Sequence, residues 1–588
     1  MPVRSIAVAS VFISIAVGCG RDGPETAPNL PTDEPTNSDT IQPAIGPWFV
    51  DRAADDKLDV VTICGNPAKR SVLDSLGVGV ALFDADSDGD LDIFVAGGTA
   101  VRDGSIRPAG GPWLFRNDGP GRWTDVSERS GLRWTGWAQG VAVCDYDGDG
   151  DLDLFVCNHG PDTLWQNQGN GVFRDVTASA GIVENEWGVS ATWGDYDGDG
   201  RPDLYVANYL EIDAMKPPPM IEYLPGVPVF AGPSALRGQP DRLWRNLGDG
   251  RFEDATRASG LFNPSGKGMS ALFVDLDDDG RPDLYVTNDT QPNELFWNLG
   301  NGRFRDGAIE AGVAVDAFGN PEGSMAVDVA DLDGDGKLDL AHSNFRREGT
   351  RVYANSGNRT FRQISNDTRI NMLTQQYVGW GLVLADFDAD GRPDFFQANG
   401  HVYPSIPDAR YDQPPVVLRN DGPAGFEPVT RTWGPRLDAM RSGRAVAVGD
   451  LDRDGDLDLV MTTIDGPLRV LIDEGRRTNR AAVVRLVGRS PDTEALGAKV
   501  AIEVGTHRQI GIVRRGGSIL AASDSALHFG LGGADRIDRL SVRWPDGSNS
   551  TYTELPADTE IVIRRTDGSI RTTPFNRTES PPPGRLRP

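Results

Sequence analysis

One nine-residue acidic pattern, Asp-x-Asp-x-Asp-Gly-x-x-Asp, occurs seven times along this chain of 588 residues. The copies begin at Asp84, Asp145, Asp195, Asp275, Asp331, Asp386 and Asp450, and we number them hairpins 1 to 7 in that order. Successive copies start between 50 and 80 residues apart. Self-similarity at such a period is typical of repeat architectures, in which each repeat is one supersecondary unit. The repeat therefore constrains the fold more than any other feature of the sequence.

Each acidic pattern lies between two short apolar runs, such as 140–143 before hairpin 2 and 154–156 after it. Paired β-type runs around a tight polar loop predict a β-hairpin. A third run then ends in Asn-x-Gly, and because Asn and Gly tolerate positive φ, this predicts a tight turn. A fourth run follows and carries an aromatic residue. The turns start at Asn117, Asn167, Asn246, Asn298, Asn355 and Asn420, and the aromatic residues are Trp123, Phe173, Phe252, Phe304, Phe361 and Phe426.

Four antiparallel strands in each of seven repeats predict an all-β fold, a seven-bladed β-propeller with calcium-binding hairpin loops over residues 48–478. The seventh repeat lacks an aromatic fourth strand, whereas Phe49-Val50-Asp51 matches Phe173-Arg174-Asp175 of the second repeat. We therefore expect the start of the chain to complete the last blade and so to hide two sheet edges. An open solenoid is the alternative architecture, and it would not need this borrowed strand.

Several segments differ from the repeat. Alternating β-type runs continue over 479–565 without acidic loops, which predicts a separate small β domain. Residues 215–238 are a proline-rich insertion in the third repeat, either a ligand-contacting loop or a packed cover over a blade edge. Residues 20–47 are predicted to be a disordered tether and 566–588 a disordered tail, because their composition is biased and lacks apolar periodicity.

The N-terminus has the features of a bacterial lipoprotein signal. An apolar stretch, 5–17, is too short to span a bilayer and leads to Ala-Val-Gly-Cys, which resembles a lipobox ending at Cys19. This predicts a signal peptide and lipobox over 1–19, lipidation of Cys19 and anchoring at the cell envelope or surface. The alternative is an ordinary signal peptide, an incidental cysteine and a secreted protein. Cys64, Cys144 and Cys157 remain, and their odd number leaves at least one thiol free.

The hairpins gather carboxylates that oppose folding unless a cation binds between them. Calcium suits such a site because it takes about six to eight oxygen ligands in flexible geometry, whereas magnesium favours stricter octahedral geometry. Positions 1, 3, 5 and 9 offer aspartate side chains, and position 6 is always glycine because the chain must bend sharply around the ion. Position 7 is often cationic, so its backbone carbonyl is the expected donor. An acidic Asx turn without metal is the alternative.

The expected ligands of up to seven Ca²⁺ ions are the following. Hairpins 1 to 3 supply Asp84, Asp86, Asp88, Asp90, Asp92; Asp145, Asp147, Asp149, Asp151, Asp153; and Asp195, Asp197, Asp199, Arg201, Asp203. Hairpins 4 and 5 supply Asp275, Asp277, Asp279, Arg281, Asp283; and Asp331, Asp333, Asp335, Lys337, Asp339. Hairpins 6 and 7 supply Asp386, Asp388, Asp390, Arg392, Asp394; and Asp450, Asp452, Asp454, Asp456, Asp458.

Composition limits the class of partner. Hydrophobic residues make up 38% of the chain, which is enough for a packed core, and 71 glycines suit a turn-rich all-β protein. The formal net charge of −28 argues against nucleic acid as a partner, because phosphates would be repelled.

With these residues in hand, the chain resembles the FG-GAP/VCBS repeat proteins, whose propellers carry calcium in hairpins of this pattern. The stretch HFGLGGADRIDRLSVRWPDG, residues 528–547, resembles the ASPIC/UnbV domain. The combination is similar to the cartilage acidic protein family and its bacterial relatives, over about 48–565. The resemblance implies an extracytoplasmic binding or adhesion role. Its partner would be an extracellular protein or glycan, and the membrane would be contacted only through the lipid anchor.

The sequence is compatible with two classes of function. The first is a surface-anchored, calcium-stabilised scaffold without enzyme activity, which is the expected one because the five histidines show no nucleophile–base pair. The second is a polysaccharide-binding lectin or a polysaccharide-acting enzyme. Its candidate residues are Trp113, Trp134, Trp137, Trp187 and Trp193, together with Asn158, Asn208, Asn288, Asn344 and Asn399, which follow five hairpins at equal spacing. Such tryptophans are more often core residues, and such asparagines more often end strands.

Overall fold

The computed structural model describes residues 46–576, so Cys19, the signal peptide and nearly all of the tether lie outside the described residues. Within this range the strands form seven four-stranded units, each built around one acidic hairpin and numbered like it. Units 4 and 5 share one sheet, because Asp289 and Gln291 of unit 4 pair with Gly323 and Glu322 of unit 5.

The strands of each unit follow in spatial order. Unit 1 has Val80–Phe83, Asp92–Val95, Trp113–Asn117 and Trp123–Asp125; unit 2 has Trp137–Cys144, Asp153–His159, Thr163–Asn167 and Phe173–Asp175. Unit 3 has Gly188–Gly194, Asp203–Asn208, Arg242–Gly248 and Arg251–Asp254; unit 4 has Gly268–Val274, Asp283–Gln291, Glu294–Gly300 and Arg303–Asp306. Unit 5 has Glu322–Ala330, Asp339–Asn344, Arg351–Gly357 and Thr360–Gln363; unit 6 has Gly379–Ala385, Asp394–Asn399, Val416–Asn420 and Phe426–Pro428. Unit 7 has Gly443–Gly449, Asp458–Thr463, Arg469–Asp473 and Phe49–Asp51.

The units stand side by side in a closed circle. The first strand of each unit neighbours that of the next, and Gly443–Gly449 of unit 7 neighbours Val80–Phe83 of unit 1. Phe49–Asp51 pairs antiparallel with Arg469–Asp473 and so supplies the fourth strand of unit 7. The predicted borrowing of the N-terminal strand is confirmed, and so is the all-β, propeller-like class. A closed circle argues against the open solenoid.

Burial decreases from the centre of the circle outwards. In unit 2 the first strand, Trp137–Cys144, is buried along its whole length, and in the second, Asp153–His159, only the last residue is partly exposed. The fourth strand, Phe173–Asp175, buries only its aromatic residue. Strands covered on both faces need nearly continuous apolar runs. This explains why the runs on either side of each hairpin show little alternation.

Short helical turns and small sheets lie in the links between strands, both within and between units. The α-helical turns are Thr177–Ala180, Thr256–Ser259, Ala308–Ala311 and Ile370–Thr374, and the 3-10 turns are Val72–Ser75, Pro233–Ala235 and Gly422–Ala424. The small sheets are Val61–Thr62 with Gly466–Pro467, Cys64–Gly65 with Thr99–Arg102 and Ser105–Pro108, and Ile221–Leu224 with Val227–Val229. Gly181, Gly260 and Gly312 end three of the helical turns in the left-handed conformation that favours glycine.

The C-terminal domain consists of two four-stranded sheets on the hairpin side of the circle. One sheet is Leu527–Gly532, Arg480–Val487, Thr559–Arg564 and Ile570–Pro574; the other is His507–Ile512, Lys499–Val504, Arg536–Arg543 and Asn549–Pro556. The domain is not separate as expected, because Val484 and Trp544 share one buried cluster with Tyr146 and Trp193 of units 2 and 3. Part of the expected disordered tail, Ile570–Pro574, is a strand of this domain, and residues 577–588 lie outside the described range.

One segment of the C-terminal domain, residues 514–524, enters the centre of the circle, and we call it the central segment. Its Ala521–Ala522 pairs in parallel with the first strand of unit 1. The Arg515 carbonyl accepts from the Trp193 amide at 2.9 Å, and the Gly517 carbonyl accepts from a serine hydroxyl of unit 4. Ile519 is fully buried among the first strands. The C-terminal domain therefore fills the middle of the circle as well as covering one side.

The insertion 215–238 lies at the strand ends opposite to the hairpins. The Tyr223 hydroxyl donates to Asp408 at 3.1 Å, and the Phe230 ring packs 4.7 Å from the Tyr403 ring, centroid to centroid. The insertion therefore reaches from unit 3 across to unit 6. It also exposes four apolar side chains, Met215, Met220, Ile221 and Leu224. The insertion thus packs on the units, and it also presents an apolar surface to solvent.

Cys64, Cys144 and Cys157 are buried free thiols. Among the described residues, no helix combines the length and the apolarity that crossing a membrane requires.

Candidate metal centres

Backbone amides hold the first and the last aspartate of every hairpin. In hairpin 2, Asp145 accepts from the Gly150 amide at 2.9 Å, and Asp153 accepts from the Asn167 amide at 2.8 Å. Both bonds recur in all seven hairpins. The glycine at position 6 has φ between 85° and 101° in every copy, which is the sharp bend that the sequence predicted.

Carboxylates converge inside the hairpins. Three side chains place one oxygen each within 4.8 Å of the others in hairpins 1 to 5: Asp84, Asp86, Asp92; Asp145, Asp147, Asp153; Asp195, Asp197, Asp199; Asp275, Asp277, Asp279; and Asp331, Asp333, Asp339. All of these donors are hard oxygen atoms, the kind that calcium prefers. In hairpins 1 to 5 the structure therefore brings positions 1 and 3 together with position 5 or position 9.

The cationic side chains at position 7 point to other groups. Arg201 pairs with Asp199 at position 5, and its Nε donates to the Asn246 carbonyl at 3.0 Å. Arg281 and Arg392 make the equivalent contacts in hairpins 4 and 6. A guanidinium has no acceptor atom to offer a cation. In these three hairpins, position 7 can therefore offer a cation only its backbone carbonyl.

Two observations fit a cation in these hairpins. Asp86 Oδ1 and Asp331 Oδ1 are buried and accept no hydrogen bond, whereas buried polar atoms normally have a partner. Burial raises the pKa of Asp92 to about 8, and burial together with the neighbouring Asp388 raises the pKa of Asp386 to about 8. The hairpins alone therefore disfavour the charged form of their own aspartates, and a bound divalent cation reverses that preference.

The asparagine of each Asn-x-Gly turn also connects neighbouring units. Asn167 Nδ2 donates to the Ala85 carbonyl of unit 1 at 2.9 Å and to the Leu152 carbonyl of its own hairpin at 3.1 Å. The same link to a neighbouring unit is made by Asn117, Asn246, Asn298, Asn355 and Asn420. The sequence showed the recurring asparagine, but not a partner 82 residues away.

The C-terminal domain contacts the hairpins directly, which the sequence did not indicate. The Thr493 hydroxyl donates to Asp145 Oδ2 of hairpin 2. Arg543 pairs with Asp275 at 2.7 Å and with Asp278 at 3.0 Å in hairpin 4. Twelve basic and ten acidic side chains between 479 and 565 give this domain a weakly positive charge. It therefore complements the acidic face that it covers.

Most of the tryptophans and asparagines considered for a glycan or enzyme site lie in the interior of the protein. Trp137, Trp187 and Trp193 are at most 3% exposed, so these three cannot stack on a sugar, whereas Trp113 and Trp134 are half-buried. The asparagines Asn158, Asn208, Asn288, Asn344 and Asn399 are all buried. Several cap strand ends as expected: the Nδ2 groups of Asn208 and Asn399 donate to proline carbonyls at 2.9 Å.

Two family profiles match the chain. One, described as FG-GAP-like repeat, matches residues 84–156, 145–206, 229–286, 275–342 and 409–461. The other, described as ASPIC and UnbV, matches residues 488–570. The first set includes hairpins 1 to 5 and hairpin 7, and the second lies in the C-terminal domain, so the resemblance inferred from the sequence is confirmed.

Curated proteins with similar sequences carry the name Cartilage acidic protein 1. The Homo sapiens protein is 30% identical over 307 residues, which is 49% of this chain and 43% of that protein. The Xenopus tropicalis protein is 28% identical over 523 residues, 83% of this chain and 72% of that protein. The Mus musculus protein is 29% identical over 536 residues, 85% of this chain and 75% of that protein. The match to the human relative thus spans less than half of that protein.

Solved structures with a similar fold share little sequence. An Agrocybe aegerita lectin that recognises non-reducing terminal N-acetylglucosamine is 15% identical, with a TM-score of 0.34, over 82% of this chain and 96% of that one. YCF48 bound to D1 peptide is 7% identical, with a TM-score of 0.37, over 71% of this chain and 95% of that one. At such values neither resemblance bears on what this chain binds.

Proposed function

The chain is an FG-GAP repeat protein with a C-terminal ASPIC and UnbV domain, and we propose that it is a calcium-stabilised seven-bladed propeller that serves as an extracytoplasmic scaffold for binding or adhesion. In this proposal each unit is one blade and each hairpin holds one Ca²⁺ ion. The observation that carries it is the convergence of three carboxylates within 4.8 Å in successive hairpins.

The expected free energy of calcium binding is large enough to determine whether the protein is stable. Extracellular modules bind calcium with dissociation constants of about 10⁻⁴ to 10⁻³ M. At about ten times that concentration, each site adds ~1.4 kcal/mol to the free energy of unfolding by mass action. Seven such sites add ~10 kcal/mol, which is comparable with the whole stability of an ordinary domain. Calcium bound outside the cytoplasm would therefore hold the circle of sheets together.

The face opposite to the hairpins is the proposed binding face, because the C-terminal domain packs on the hairpin face. The insertion 215–238 lies there and exposes Met220, Ile221 and Leu224 close together in sequence. Exposed apolar patches mark interaction sites more often than chance surface. This supports an extracellular protein as the partner, with a glycan as the second candidate. The net charge of −28 disfavours nucleic acid.

We propose that the protein is not an enzyme and is anchored outside the cytoplasm. Burial lowers the pKa of His342 to about 3 and that of His401 to about 4, so both imidazoles are neutral structural groups at neutral pH. His342 Nδ1 lies 2.8 Å from Asn344 Oδ1 in the interior. The lipobox-like sequence supports lipid anchoring through Cys19, and a secreted form is the alternative.

Calcium titration of the full chain tests the stabilising role. We expect calorimetry to count several Ca²⁺ ions per chain, and the melting temperature to rise in calcium relative to a chelator. D197N, which changes a hairpin 3 ligand, should lower the count, whereas D249N, which changes an exposed turn residue of the same unit, should not. Equal melting temperatures with calcium and with chelator, and no bound metal, would contradict the proposal.

A binding screen tests the scaffold role. The immobilised full chain is presented with a glycan array and with envelope and matrix proteins, in calcium and in chelator. The matched variant replaces Met220, Ile221 and Leu224 by serine, which should preserve the fold because all three are exposed. We expect binding to be lost in this variant and in chelator. Turnover of a polysaccharide by the full chain would instead support the enzyme.

A further inference from the structure

A second kind of acidic cluster lies between units 2 and 3, at the strand ends remote from the hairpins. Asp162 lies in the turn after the strand Asp153–His159, and Glu184 lies in the link that leads to the strand Gly188–Gly194. The two carboxyls are within hydrogen-bonding reach of each other, and Asn208 lies beside Glu184. Asp162 is 2% exposed and Asn208 is fully buried. Water therefore does not solvate these groups.

Four oxygen atoms of this cluster have no donor among the described residues. Asp162 Oδ2, both carboxylate oxygens of Glu184 and Asn208 Oδ1 are buried and accept no hydrogen bond. The remaining atoms of two of these side chains are engaged: Asp162 Oδ1 accepts from the Asn158 amide at 2.6 Å, and Asn208 Nδ2 donates to the Pro240 carbonyl at 2.9 Å. Buried oxygens of this kind need either a proton that the two carboxyls share or a bound cation.

Unit 3 shows how the same position is satisfied without a cation. Asp241 takes the place of Asp162, and one of its oxygens accepts from the amide of the strand-ending asparagine at 2.7 Å. Its second oxygen accepts from the Tyr205 hydroxyl at 2.7 Å. In unit 2 the residue at the position of Tyr205 is Phe155, which has no hydroxyl. The donor that completes the site in unit 3 is therefore missing from unit 2.

Within residues 46–576, no neighbouring cation replaces that donor. Arg242 lies close to Glu184 but pairs with Glu186. Burial, and then the adjacent Glu184, raise the pKa of Asp162, and burial raises the pKa of Glu184. These directions are expected for two buried carboxyls without a counter-ion.

We propose that Asp162, Glu184 and Asn208 bind a divalent cation, Ca²⁺, at the interface of units 2 and 3, separately from the seven hairpins. Two carboxylates carry the charge that one divalent ion offsets, and all four donor atoms are hard oxygens. The ion joins a turn of unit 2 to the entry and second strand of unit 3. It therefore fastens two adjacent units at the side that the hairpins do not reach.

The test is a count of bound metal ions per full chain by plasma mass spectrometry after dialysis against calcium. The double variant D162N/E184Q should bind one calcium ion fewer than the wild type. D249N is the control, because it changes an exposed turn residue of unit 3 that lies away from the cluster, and its count should equal that of the wild type. Since the result is a difference, it does not depend on how many hairpins are occupied.

A third variant covers the case in which the double variant does not fold. F155Y introduces a hydroxyl at the position from which Tyr205 satisfies Asp241, and it should likewise remove one calcium ion per chain. A calcium count unchanged in D162N/E184Q, or in F155Y where the former does not fold, would overturn the proposal and leave two carboxyls that share a proton. Loss of one sodium or potassium ion in place of calcium would overturn the assignment to a divalent ion.

Discussion

At the scale of single residues, the side chain of the Asn-x-Gly asparagine links two units with one group. Asn167 donates to carbonyls of unit 1 and of its own hairpin, and its Oδ1 accepts from the Gly169 amide at 3.1 Å. An amide side chain supplies two donors and an acceptor at a length that suits all three partners. Unit 7 has Asp473 at this position, and that carboxylate pairs with Arg477. The asparagine is therefore a joint between units as well as a turn residue.

Replacing this asparagine should weaken the joint. N167A leaves the buried Ala85 carbonyl and the partly buried Leu152 carbonyl without this donor, so we expect the free energy of unfolding to fall by about 2–3 kcal/mol. Chemical denaturation in saturating calcium measures this change. Q168A is the control, because Gln168 is exposed at the next position, and it should change stability by less than ~0.5 kcal/mol. Equal effects of the two substitutions would contradict the role assigned to Asn167.

At the scale of elements, the sequence predicted those features that short-range interactions along the chain determine. The hairpin bend follows from glycine at position 6, and the closing strand follows from the match of Phe49-Val50-Asp51 to the fourth strand of another unit. The central segment could not be predicted, because its contacts join residues more than 300 positions apart, such as Leu520 and Ser190. The Asp162–Glu184 cluster was missed for the same reason, since two single acids from different units carry no repeated spacing.

The closing strand should be essential to the circle. Phe49 is 1% exposed and packs edge-on against Phe387 of unit 6, with ring centroids 5.8 Å apart. F49A should therefore lower the free energy of unfolding by about 3–5 kcal/mol, because it removes a large buried side chain at the seam. V50A is the control, since Val50 is half-buried on the other face of the strand. Thermal melts compare the two variants. Equal melting temperatures for F49A and V50A would contradict closure of the circle by this strand.

At the scale of the whole molecule, the circle of units and the C-terminal domain form one structure. Ile519 and Ala521 belong to the same buried cluster as the first strands of units 1, 6 and 7, and a second cluster joins the C-terminal sheets to units 2 and 3. Elements that share a core unfold together. The C-terminal domain therefore shares buried cores with the circle of units on the hairpin side. This supports the insertion side as the proposed binding face.

A cavity at the centre should therefore destabilise the circle of units and the C-terminal domain to the same extent. I519A removes a fully buried side chain of the central segment, and we expect a loss of about 2–5 kcal/mol. Hydrogen exchange read by mass spectrometry should show peptides of unit 1 and peptides of 480–564 losing protection to the same extent, in a single unfolding transition. V562A, at a half-buried position of a C-terminal sheet, is the control and should change little. Protection lost in the C-terminal domain alone would show that the circle holds without the segment at its centre, and that the two parts are independent after all.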